Sequence, residues 1–180
     1  MRKYLLILLL ALMNCGIDSD LTNQPKRWNL SEYIYVNNQL DISSEKNAIL
    51  FIGMKGAISN AGGLVVDFPV SQVLTIRSTN EQNCARPMIR AFTHFPTNGI
   101  IYFCTDFALS MPYTVRIATN TAMHELFHEL SNRDDHLDCT AERPIMAANA
   151  SCSQDRVDYT ELDKKYCGAK GYTIGGECKK

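Results

Sequence analysis

Three of the chain's four histidines fall within thirteen residues, in the run His124-Glu125-Leu126-Phe127-His128-Glu129-Leu130-Ser131-Asn132-Arg133-Asp134-Asp135-His136. No other feature constrains the fold as much. Met123, Leu126, Phe127 and Leu130 recur at helical spacing, and Thr119 or Asn120 offers an N-cap. The segment is therefore expected to be a helix with a core-facing stripe. On that helix His124 and His128 project from one face on successive turns. Two imidazoles so placed can share a zinc ion at about 2.0–2.1 Å. Glu125 projects about 100° further round, towards a water beside the ion rather than the ion itself. A chance match to HExxH is expected only about once in several hundred chains of this composition.

A third ligand is needed, and two residues compete for the role. Asp134 and His136 both follow His128 closely, and either a carboxylate or an imidazole can bind zinc. Imidazole is the more usual ligand, so His136 is preferred, with Asp134 the alternative. The helix is expected to end near Asn132, which tolerates the left-handed conformation.

Upstream, Asn29 to Val36 reads as a first strand, and Ser43 or Ser44 caps a helix running to about Asn60, ended by Gly62-Gly63. Gly53 and Gly56 weaken that helix. Leu64–Phe68 and Val73–Arg77 read as strands separated at Pro69, and Ile100–Cys104 is the strongest strand signal in the chain. The order strand, helix, several strands, helix implies an α+β domain over residues 28–180. His94, between Thr93 and Phe95, reads as a surface or packing histidine.

The compartment follows from the N-terminus and the cysteines. Arg2 and Lys3 precede an apolar run from Leu5 to Leu12, too short to span a bilayer and typical of a signal peptide over residues 1–14. Leu12-Met13-Asn14-Cys15 resembles a bacterial lipobox, with Met13 and Asn14 where small residues are usual. That resemblance implies a lipid anchor at Cys15, a polar tether over 15–27 and attachment to a membrane surface. Six further cysteines, Cys84, Cys104, Cys139, Cys152, Cys167 and Cys178, read as disulfides in an exported chain. Six allow fifteen pairings; the local solution is Cys84–Cys104, Cys139–Cys152 and Cys167–Cys178. The formal charge is −1, a balance that argues against nucleic acid as a partner, since such a binder normally carries a basic face.

From His124 to Met146 the chain resembles the metzincin metallopeptidases, whose extended motif is HExxHxxGxxH or HExxHxxGxxD. Pro144-Ile145-Met146 matches the methionine turn of that family, and Tyr159-Thr160-Glu161-Leu162-Asp163 resembles the start of its closing helix. Ser131 departs from the pattern, standing where a glycine is usual, and His136 comes two residues later than the family's third ligand. The resemblance implies a twisted mixed sheet, an active-site helix, a Met-turn and a C-terminal helix. It further implies one catalytic zinc ion on His124, His128 and a third ligand, the family position being held by Asp134 and the preferred imidazole being His136, with Glu125 as general base towards a protein or peptide substrate. The competing function is a non-catalytic, zinc-containing surface lipoprotein, a binding or adhesion module whose site is closed by both Asp134 and His136.

Overall fold

The computed structural model describes residues 28–85, 90–105, 114–153 and 156–165. The signal segment, Cys15, the tether, Cys167 and Cys178 lie outside them. The elements run β1 (Tyr33–Gln39), α1 (Ser44–Asn60), β2 (Leu64–Val66), β3 (Gln72–Thr79), β4 (Ala91–Thr93), β5 (Ile100–Cys104), α2 (Val115–Ser131), α3 (Ala150–Ser153) and α4 (Glu161–Lys165). The α+β expectation holds.

The five strands form one sheet in the order β2-β1-β3-β5-β4. All neighbours are parallel except β4, which runs antiparallel to β5 with Phe92 opposite Tyr102. Alternation assigns the two faces. Ile34 and Val36, Leu74 and Ile76, and Ile101 and Phe103 are all buried and form the core side. The other side carries Tyr35, Thr75, Arg77 and Tyr102, none of them buried.

Both long helices pack together and lie against this sheet, α1 beside β1 and β2, and α2 beside β4 and β5. Their contact explains Gly53, which the sequence alone marks only as a weakness. A Cβ there would sit 2.8 Å from the Ala118 carbonyl carbon, so the helices can approach this closely only at glycine. The end of α1 is also set by glycine, with Gly62 at φ +86°.

Several boundaries differ from expectation. β1 starts four residues late because Asn29 to Glu32 is used in a turn, the Glu32 N–H bonding the Asn29 carbonyl at 3.0 Å. β2 stops at Val66. The antiparallel β4 has three residues, too few to register as a periodic pattern.

The helix α2 begins at Val115, capped by Thr114, whose hydroxyl accepts from the Ile117 N–H at 3.3 Å; Thr119 and Asn120 are not its cap. Both lie inside the helix with their polar groups committed elsewhere. Thr119 bonds back to the Val115 carbonyl at 2.8 Å, and the Asn120 amide donates to the Ser153 and Arg156 carbonyls. The extra turn buries Ala118 in the core.

Two disulfides are present, Cys84–Cys104 and Cys139–Cys152, as the local pairing expects. Among the described residues, no helix is long and apolar enough to cross a membrane.

Candidate metal centre

The helix α2 carries two of the three clustered histidines, and each is held by a carbonyl from outside the helix. The Nδ1 of His124 lies 2.7 Å from the Ile145 carbonyl oxygen, and the Nδ1 of His128 lies 2.6 Å from that of Arg133. A carbonyl can only accept, so both Nδ1 atoms carry their ring's proton and both Nε2 atoms present bare lone pairs. Those lone pairs converge. The two Nε2 atoms are 3.1 Å apart, and the Nε2 of His136 is 3.3 Å from that of His128.

Nitrogen lone pairs at this separation repel unless a proton or cation lies among them, and burial disfavours the proton. It brings His124 down to about 4 and His128 down to about 3, and lowers His136 as well. The carbonyl bonds to Ile145 and Arg133 push back upward without reversing the effect. At neutral pH the site is three uncharged imidazoles with their ligand atoms within 4.8 Å of one another, an arrangement suited to a metal ion. Asp134, the competing third ligand, is exposed; it lines the cleft without joining the cluster.

How His136 reaches the site is a matter of turns. The helix ends at Ser131, and Asn132 takes the left-handed conformation (φ 52°, ψ 43°) with its N–H on the His128 carbonyl at 2.9 Å. The stop falls at Asn132, as expected. Its side chain adds a tether, accepting from the Thr97 N–H at 2.9 Å. Beyond it, the Leu137 N–H bonds the Met146 carbonyl at 2.7 Å and the Ala148 N–H bonds the Leu137 carbonyl at 3.2 Å. This isolated parallel bridge registers the residue after His136 against the 144–147 turn. The same turn supplies the Ile145 carbonyl to His124, so it positions two of the three rings.

That turn is fixed from beneath by Asp163. The carboxylate is fully buried and accepts from the Ile145 N–H and the Met146 N–H, both at 3.0 Å, and from the Thr160 N–H at 2.8 Å. The Thr160 hydroxyl accepts in return from the Asp163 N–H at 3.1 Å, a capping box at the start of α4. The sequence marks the Thr-x-x-Asp spacing; nothing in it says that the carboxylate reaches a turn eighteen residues upstream. Glu129 has a comparable role at the other side of α2. It is buried, with Oε1 accepting from the Trp28 indole at 3.2 Å and the Gly99 N–H at 2.6 Å.

A cleft of about 330 Å³ opens at the three histidines, bounded by β4, the α2 face and Ala147-Ala148. Glu125 lines it, 7% exposed, and makes no hydrogen bond with any described residue. Burial pushes its carboxyl up to about 8 in the absence of an ion. Phe95 flanks the mouth, edge-on to His128. His94 is elsewhere, on the outer face of the sheet beside Phe92 and Tyr102, with Glu81 3.4 Å away, and has no part in the site. Compared with models of known protein families and with curated proteins, the chain matches none.

Proposed function

We propose that the protein is a zinc endopeptidase of metzincin type, exported and anchored through Cys15, with His124, His128 and His136 as the metal ligands. The observation that carries this reading is Glu125. A buried carboxyl, beside three converging imidazoles and bonded to no described residue, is suited to a partner that arrives from the cleft. A purely structural site has no use for it.

The donor set fits zinc. Three nitrogens held about 2.0–2.1 Å from a tetrahedral ion lie about 3.3 Å apart; here His128 stands 3.1 and 3.3 Å from the other two, and all three ligand atoms lie within 4.8 Å of one another. When bound, zinc supplies a Lewis acid for the scissile carbonyl and for water. Three protein ligands leave a coordination position open, whereas a closed binding module needs a fourth, and Asp134 does not stand with the cluster. The turn bearing Met146 and the closing helix at Glu161 agree with the metzincin resemblance in order and in connection to the ligands.

The work of the chain's own residues follows from their positions. Ile145 and Arg133 hold the rings so that Nε2 faces the ion. Glu125 takes a proton from the attacking water onto a carboxylate oxygen and delivers it to the leaving amine nitrogen. Its dry surroundings raise its basicity, and a nearby cation would lower its pKa from the metal-free value. β4, an edge strand lining the cleft, offers backbone groups to an extended peptide.

The test is cleavage of a diverse peptide library by the oxidised, zinc-loaded protein, read by mass spectrometry beside Glu125→Gln. The variant should keep its zinc and lose the parent's cuts. No cuts from folded, zinc-loaded parent would leave the binding module as the better account.

A further inference from the structure

The cleft continues past the ligands to the preceding turn of α2, where Asn120 and Thr121 line it. They lie about 6 Å along the helix axis from His124 and Glu125. Asn120 is 5% exposed and Thr121 6%. Both hydrogens of the Asn120 amide nitrogen are used, on the Ser153 and Arg156 carbonyls at 2.5 and 2.9 Å. The orientation of the amide is thereby fixed, and Oδ1 is left as an acceptor that takes no hydrogen bond from any described residue. The Thr121 hydroxyl also has no partner among them. Thr93, entering from β4, also lines the cleft, with an enclosed hydroxyl that has no partner among the described residues.

Oδ1 and the Thr121 hydroxyl are open to the cleft, so a ligand that displaces water there must replace the hydrogen bonds that water made. That requirement narrows the ligand. It must donate to Oδ1, and it gains by accepting from a hydroxyl. A carboxylate cannot donate and would meet Oδ1 as a second acceptor. An ammonium group cannot accept from a hydroxyl. An alkyl group would displace water and leave the oxygens bare. We propose that the Asn120–Thr121 end of the cleft is a selectivity pocket for a neutral hydrogen-bonding side chain, a primary amide (glutamine or asparagine) above all. This rests on the peptidase reading for its substrate, and the pocket can be examined without turnover.

The probes are succinyl hydroxamates, which anchor on zinc and differ here in one side chain: glutamine, asparagine, leucine, glutamate or lysine. Their affinity for the full-length, zinc-loaded protein is measured by calorimetry, with zinc content assayed separately. An amide probe should bind about tenfold tighter than the leucine and glutamate probes, as expected where a site built for a hydrogen bond rejects the analogue lacking it. Thr121→Val, which keeps the shape and loses the hydroxyl, should narrow that gap without changing leucine affinity. Leucine or a charged probe binding as tightly as the amides overturns the inference, as does failure of every probe to bind zinc-loaded protein. The peptide library reports on proteolysis separately: cutting with no amide preference sinks the pocket alone, and an amide preference without cutting sinks the peptidase alone.

Discussion

His124 and His128 are held by a different kind of structure from His136. The first two stand on a seventeen-residue helix packed along its length against α1 and the sheet, with Phe127 and Leu130 fully or almost fully buried beneath them. The third stands on an irregular segment held by one left-handed residue and one isolated bridge. The helical pair is set by local geometry that any stable helix supplies. The loop histidine is set by contacts with residues 144–148 and, through them, Asp163. The difference divides the site into a half held by the helix and a half held by contacts with the 144–148 segment.

Ligand removal should give the largest effects and tests the division directly. His128→Ala breaks the centre of the cluster and should lower zinc affinity by well over the 10- to 100-fold typical of a lost supporting contact. Competition with a chromophoric chelator reads it. His136→Ala should lose less, because the helical pair remains; an equal loss would erase the distinction between the halves.

Asp163→Ala comes next. It strips acceptors from three buried backbone N–H groups at once, which should destabilise the fold by about 3–5 kcal/mol. Zinc affinity should fall by about 10- to 100-fold, although Asp163 touches none of the rings. Urea unfolding and zinc titration together check it, and destabilisation with unchanged affinity would detach the turn from the site.

Opening Cys139–Cys152 by double serine substitution should lower stability by about 3 kcal/mol on loop entropy. The bridge spans the 144–147 turn, so hydrogen exchange should rise at Leu137 and Ala148 and stay unchanged at His124 to Leu130. Equal loosening of both would contradict the two-part view.

A smaller effect concerns pH in the metal-free protein. The histidines, with pKa lowered by burial, bind fewer protons folded than unfolded, so they withdraw stability as pH falls below about 6.5 towards 4 and 3. Glu125 acts oppositely. Its folded pKa is about 8 against an ordinary 4.5, so stability declines as pH rises through that window. Between 4.5 and 6.5 the histidines outweigh one carboxyl, which puts the maximum near pH 6.5. Glu125→Gln should remove the alkaline decline, about 1–2 kcal/mol between pH 6.5 and 8. Denaturant titration of chelator-stripped protein would show it, and a parent profile flat above 6.5 would mean that Glu125 is hydrated. Asp134→Ala should change zinc retention least of all.

Legibility in the sequence divides along the same line. The bounds of β5, the span of α1 and the stop at Asn132 are readable because propensity, periodicity and a left-handed residue act within a few positions. The start of α2 is misread at Thr119 and Asn120, since good capping residues can serve mid-helix when a distant carbonyl accepts from them. β4 is missed because three residues carry no period and its pairing lies on β5. Glu129 and Asp163 carry no local mark of burial, and their roles depend on partners thirty or more residues away in one case and a turn eighteen residues upstream in the other.

By itself, then, the sequence determined that a helix would present two imidazoles and a carboxyl at fixed spacing, because 3.6 residues per turn leaves no other arrangement. It offered two candidates for the third ligand, preferring His136 over Asp134 on ligand type alone. Only the tertiary structure decided between them as members of the cluster, by pairing Leu137 with Ala147 and hanging the 144–147 turn on Asp163. A loop has no internal period to fix its side chains, so where they point is decided by what the loop packs against.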